Sequence, residues 1–192
     1  MLSVALALAA LVLAGPAPAS ANGGAPCGIP GAVVAHASPT ALVVRGRGEM
    51  RRYWACLWGG RPVSIGMAGE GPGGELVLED FTAAGRFLAV VGYDCLAECA
   101  PPRVHVFDLR TGRRVRSVYA SPTGPPLLGT RGGLVSVESY GMNRRRIQVW
   151  DSRGTRIVVR GPRRDLPRRA VRVDGNILRW TDAGIRHSFR LR

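Results

Sequence analysis

From residue 31 onward, short apolar runs alternate with polar positions and are cut by Gly, Pro, Asp and Ser. That period-two pattern predicts β-strands. One phrase recurs: VHVFDLRTGRRV from Val104, IQVWDSRGTRIV from Ile147 and ILRWTDAGIRHS from Ile177. In each, an apolar strand runs into an aromatic (Phe107, Trp150, Trp180), then a polar turn ending in Gly112, Gly154 or Gly184, then a second strand. A weaker copy starts at Tyr53 and ends its turn at Gly60. Repetition of a strand–turn–strand unit predicts an all-β array of about four antiparallel units.

Strand-like runs fall into four groups. The first holds GAVVAH, ALVVRG, RRYWACLW and RPVSIG; the second holds ELVLEDF, FLAVVGY, RVHVFDLR and RRVRSV. The third holds LLGT, LVSVES, RRIQVWD and TRIVV; the fourth holds AVRV, NILRWTD and IRHSFRL. Asp174-Gly175 predicts a type I′ hairpin turn. Aligning Cys56, Phe107, Trp150 and Trp180 gives spacings of 51, 43 and 30 residues. The last unit is short because RGPRRDLPRR offers no clear opening strand. No window after the apolar N-terminus has a helical period, and Pro and Gly recur too often for long helices.

Residues 1–14 are apolar apart from Ser3, and Ala19-Ser20-Ala21 carries the small residues that signal peptidase requires. These predict a signal peptide over 1–21, an irregular Gly- and Pro-rich segment over 22–30, and one domain over 31–192. The apolar run falls short of the roughly 20 residues that span a bilayer, so secretion or another extracytoplasmic destination is expected, with no transmembrane segment after cleavage.

Four cysteines in an exported chain predict two disulfides. Cys95 and Cys99 lie close together in a loop, which leaves Cys27 with Cys56. The chain-entropy relation gives about 2 kcal/mol for the first and about 3.6 kcal/mol for the second. The other two connectivities stay open. Zinc would need more Cys or paired His, and His36, His105 and His187 are isolated, so no metal or cofactor is expected.

The formal charge is +14, and every basic residue is Arg. Residues 22–102 carry 6 Arg against 7 acidic residues; residues 103–192 carry 21 Arg against 6. The absence of Lys fits a GC-rich coding bias that makes Arg the default surface charge. The asymmetry fits a functional anion-binding face instead, since Arg chelates phosphate, sulfate and carboxylate. Runs in the sequence single out Arg144, Arg145 and Arg146, with Arg163, Arg164, Arg168 and Arg169, as candidate anion-binding residues. Acidic wall polymers or anionic lipid headgroups are the extracellular candidates. Nucleic acid is disfavoured, because Tyr140 is the one aromatic near the Arg run and single strands call for aromatic stacking.

Phe107-Asp108 and Trp150-Asp151, each before a Gly turn, resemble the β-propeller blades of WD-repeat and quinoprotein-like proteins. In those, an aromatic–Asp pair ends the third strand and a Gly turn leads to the outermost one. Trp180 is followed by Thr181, with Asp182 displaced by one; Cys56 has no such pair, and the Gly-His opening of many WD repeats is missing. The resemblance implies a four-bladed or partial propeller, with a β-sandwich of the same hairpins as the alternative.

Chemistry-bearing motifs are scarce. Neither a Gly-x-Ser-x-Gly elbow nor a phosphate-binding P-loop occurs, and the adjacent Glu79-Asp80 pair would face opposite ways on a strand. Turn aspartates such as Asp108 and Asp151 are best explained by hydrogen bonds to their own backbones. The expectation is a secreted, non-enzymatic binding module whose partner is a protein or an anionic surface polymer. The alternative is an extracellular hydrolase or lyase with Asp94, Asp108 and Asp151 gathered at one mouth.

Overall fold

A computed structural model describes residues 25–47, 51–68, 75–95 and 101–192. The described chain is all-β and forms four antiparallel sheets. The first contains β1 (Val33–Ala37), β2 (Ala41–Arg45), β3 (Arg51–Leu57) and β4 (Val63–Ala68). The second contains β5 (Glu75–Ala84), β6 (Phe87–Cys95), β7 (Arg103–Asp108) and β8 (Arg113–Tyr119). The third contains β9 (Leu127–Leu128), β10 (Leu134–Tyr140), β11 (Arg144–Asp151) and β12 (Gly154–Pro162). The fourth contains β13 (Arg172–Asp174), β14 (Ile177–Asp182) and β15 (Ile185–Arg190). Every sheet is a meander in which spatial order follows chain order. Each sheet corresponds to one of the four predicted groups.

The fourth sheet has three strands, for the reason visible in RGPRRDLPRR. Pro162 and Pro167 cannot donate to a ladder. The chain instead makes a short 3-10 turn at Arg168–Ala170 and buries Leu166 and Val171 as single anchors.

Glycines in the repeated phrase sit where the backbone turns left-handed: Gly112 at φ 73°, Gly154 at 95° and Gly184 at 84°. In the first sheet the left-handed residue is Gly59, at φ 71°, one place earlier than the predicted Gly60. The fourth-sheet hairpin also differs from expectation by one residue. Asp174 pairs with Ile177, so the two loop residues are Gly175 and Asn176. Positive φ falls on Gly175 alone of the two, the type II′ pattern, rather than on both residues as type I′ requires.

Consecutive sheets pack face to face through apolar clusters. One joins Val43, Tyr53 and Ile65 of the first sheet to Leu88, Val90 and Phe107 of the second. The next joins Phe87, Val104 and Val106 to Leu134 and Trp150. The third joins Val137, Ile147 and Val149 to Leu178, Trp180 and Leu191. The three repeat aromatics therefore do one job: each packs back onto the preceding sheet. No described sheet precedes the first. Its back face is covered by Cys27, Ile29 and Ala32 of the lead-in, which pack on Leu42, Val44, Trp54 and Cys56. Cys27 and Cys56 form a disulfide. Cys95 closes β6 rather than lying in a loop, and Cys99 lies outside the described residues, as do the predicted signal peptide and the Gly-rich stretch 69–74.

Among the described residues, no apolar cluster joins the fourth sheet to the first. No described helix is long and apolar enough to cross a membrane.

Candidate functional site

Arginine placement follows from strand alternation and register. In the run at the start of β11, Arg144 and Arg146 point one way and Arg145 the other. Arg145 is 6% exposed, and its guanidinium donates to the Leu166 carbonyl at 3.3 Å. Burial, and then the charge of Arg163, push Arg145 below the usual arginine range. Arg146 stands opposite Glu138 on β10 and pairs with its buried carboxylate at 2.6 Å. Arg168 donates to the carbonyls of Pro125 and Val171, and burial followed by the Arg145 charge lowers its pKa. Arg145, Arg146 and Arg168 are thus engaged within the chain. Arg144, Arg163, Arg164 and Arg169 are exposed, with Arg164 beside Asp165 at 3.5 Å.

A different set of arginines converges on the fourth sheet. Cross-strand partners share a face. Arg172 stands directly opposite Arg179, Arg186 opposite Thr181, and Arg190 opposite Ile177. All four arginines therefore occupy the face turned away from the third sheet, because Leu178 and Trp180 occupy the other. All four are exposed. Arg169, from the turn before β13, joins Arg172, Arg179 and Arg186 around a hollow of about 400 Å³. Among the described residues, Asp174 is the one carboxylate in ion-pair range, 4.0 Å from Arg179, and both are well exposed. Beneath the hollow, Trp180 stacks on His187 with ring centroids 5.2 Å apart. Arg179, Arg186 and Arg190 escape a sequence search for runs of arginine, whereas Arg172 ends the arginine-rich stretch that starts at Pro162. The hairpin register would reveal them, provided the turn is placed on Gly175-Asn176.

Both turn aspartates are engaged within the chain. Asp108 accepts the Arg110 amide at 3.0 Å and pairs with Arg86 at 3.2 Å. Asp151 accepts the amides of Arg153 and Arg192 and holds Arg156 through both oxygens, at 2.7 and 2.6 Å. The Asp94 side chain lies outside the described residues. Among the described residues no group of three His, Cys, Asp or Glu could hold a metal.

The chain matches no family model and no curated protein.

Proposed function

We propose that the chain is an extracytoplasmic, non-enzymatic binding module, built as an open propeller-like array, that holds an acidic surface polymer on the arginine face of its fourth sheet. Four successive meanders, each anchored backward by an aromatic or by Cys56, support the propeller-like reading. The N-terminal apolar run and the Cys27–Cys56 disulfide support export to an oxidising compartment.

The observation that carries the reading is the direct opposition of Arg172 and Arg179, with Arg186 on the same face, where no described sheet packs. Like charges directly opposite cost stability. An anionic chain laid along the face removes that cost and gains bidentate contacts. The contacts of Asp108 and Asp151 weigh against the hydrolase or lyase alternative, since both carboxylates are committed to their own turns and to neighbouring arginines.

The test is retention on an anionic polysaccharide resin. The protein should elute only well above about 0.15 M salt. The triple variant Arg172→Ser, Arg179→Ser, Arg186→Ser should elute near that concentration with no fall in melting temperature. Elution of the parent at or below physiological salt, or unchanged retention of the triple variant, overturns the reading.

A further inference from the structure

We propose a second and separate site: the cleft where the second and third sheets meet is built to take one phosphate or sulfate group. Local turns assemble it. Gly132, at φ 80°, sits on the Phe87 ring so closely that a Cβ there would meet it at 3.1 Å. That contact brings the 131–133 turn down onto the start of β6. The Arg131 amide is held by the Asn176 side chain at 2.9 Å, and the Arg86 guanidinium lies 5.0 Å over the Phe87 ring. Arg116 arrives from β8. Arg86, Arg116, Arg131 and Asp108 line a cleft of about 270 Å³, together with Ser152 and Arg192. A water molecule occupies about 30 Å³ of liquid, so the cleft has room for one tetrahedral oxyanion and several waters.

Its charges are unbalanced. Arg86 is offset by Asp108. Arg116 and Arg131 have no carboxylate within ion-pair distance among the described residues. The Arg116 Nε is shielded from solvent and has no hydrogen-bond partner among the described residues. Asp151, the carboxylate whose charge reaches Arg116, is filled by Arg153, Arg156 and Arg192. Burial, partly opposed by Asp151, pushes Arg116 below the usual arginine range. Arg116 is half-buried, and a partly desolvated guanidinium without a carboxylate partner is costly until an acceptor arrives. An oxyanion supplies acceptors in the geometry that the guanidinium fork fits. The cleft shares no residue with the fourth-sheet hollow, and the inference does not rest on the polymer reading.

Isothermal titration of the mature protein with inorganic phosphate and with sulfate, at ionic strength held constant with chloride, tests this. One site per chain with a Kd of about 1 mM or tighter is expected. Arg116→Met and Arg131→Ser should each weaken it at least tenfold, and the fourth-sheet triple variant should leave it unchanged. Arg131 is exposed, so Arg131→Ser decides the matter if Arg116→Met does not fold. Absence of saturable binding, full affinity in Arg131→Ser, or loss confined to the triple variant overturns the site. Glucose 6-phosphate is the comparison ligand. Tighter binding than inorganic phosphate means the group is presented on a larger molecule, equal binding means the free ion, and either result supports the site.

Discussion

Cys56 is bonded to Cys27, and it stands at the place in its sheet where the next three sheets carry Phe107, Trp150 and Trp180. The aromatics reach back to a preceding sheet. Cys56 has only the lead-in behind it, and a covalent bond takes over the role of ring packing.

Loss of that bond should uncover Leu42, Val44 and Trp54 together. Cys27→Ser with Cys56→Ser is expected to lower the unfolding free energy by about 2–5 kcal/mol. Urea titration followed by tryptophan emission measures it, with a red shift in the native baseline as Trp54 becomes wetter.

Trp150 is buried between the second and third sheets. Trp150→Ala should cost about 3–5 kcal/mol, because rigid strands on both sides collapse poorly into the space. A drop in the chemical midpoint at unchanged slope is the expected signature; a loss under 1 kcal/mol would mean that the ring is not an anchor.

Gly132→Ala and Gly141→Ala separate backbone strain from crowding. Both glycines are left-handed, at φ 80° and 63°, but only at Gly132 does the added carbon meet a neighbour. Gly141→Ala should cost about 1–2 kcal/mol. Gly132→Ala should cost clearly more, unless the Phe87 ring can slide. Thermal unfolding of the pair, side by side, gives the difference.

Arg145 should be dispensable for stability. It is a buried cation with one 3.3 Å hydrogen bond and an Nε without a partner among the described residues. Its lowered pKa means the folded state disfavours the charged form. The unfolded chain therefore binds the proton more tightly, and the penalty is present at every pH below the folded pKa. Arg145→Met is expected to raise stability by about 1 kcal/mol near neutral pH. Equal or lower stability in a urea titration would show that the Leu166 contact outweighs the burial cost.

Arg179→Thr removes the opposed pair on β13 and β14. Stability should rise by about 0.2–1 kcal/mol at low salt, and the gain should fade as salt screens the parent. A gain that persists in 1 M salt would trace to strand propensity instead.

Much of this architecture is legible in the residues. Alternation and turn glycines mark the four groups of strands, and the spacing of Phe107, Trp150 and Trp180 marks the packing anchors. The arginine face is harder to read, because it depends on a turn. A loop at Asp174-Gly175 would set Arg172 opposite Ile177, whereas a loop at Gly175-Asn176 sets it opposite Arg179. One residue of register changes which side chains meet. Long-range partners are hidden for a similar reason: nothing local in Arg144-Arg145-Arg146 announces that the middle side chain turns inward to Leu166.

The outer face of the fourth sheet, which no described sheet covers, also bears on self-association. A stack with a free end invites a second copy to continue it, as open β edges and faces do. Here two free ends brought together would set four arginines against four. The back of the first sheet is already plugged by the Cys27 segment, so head-to-tail growth finds no seat. Among the described residues, both ends of the array are thus set against stacking a second copy.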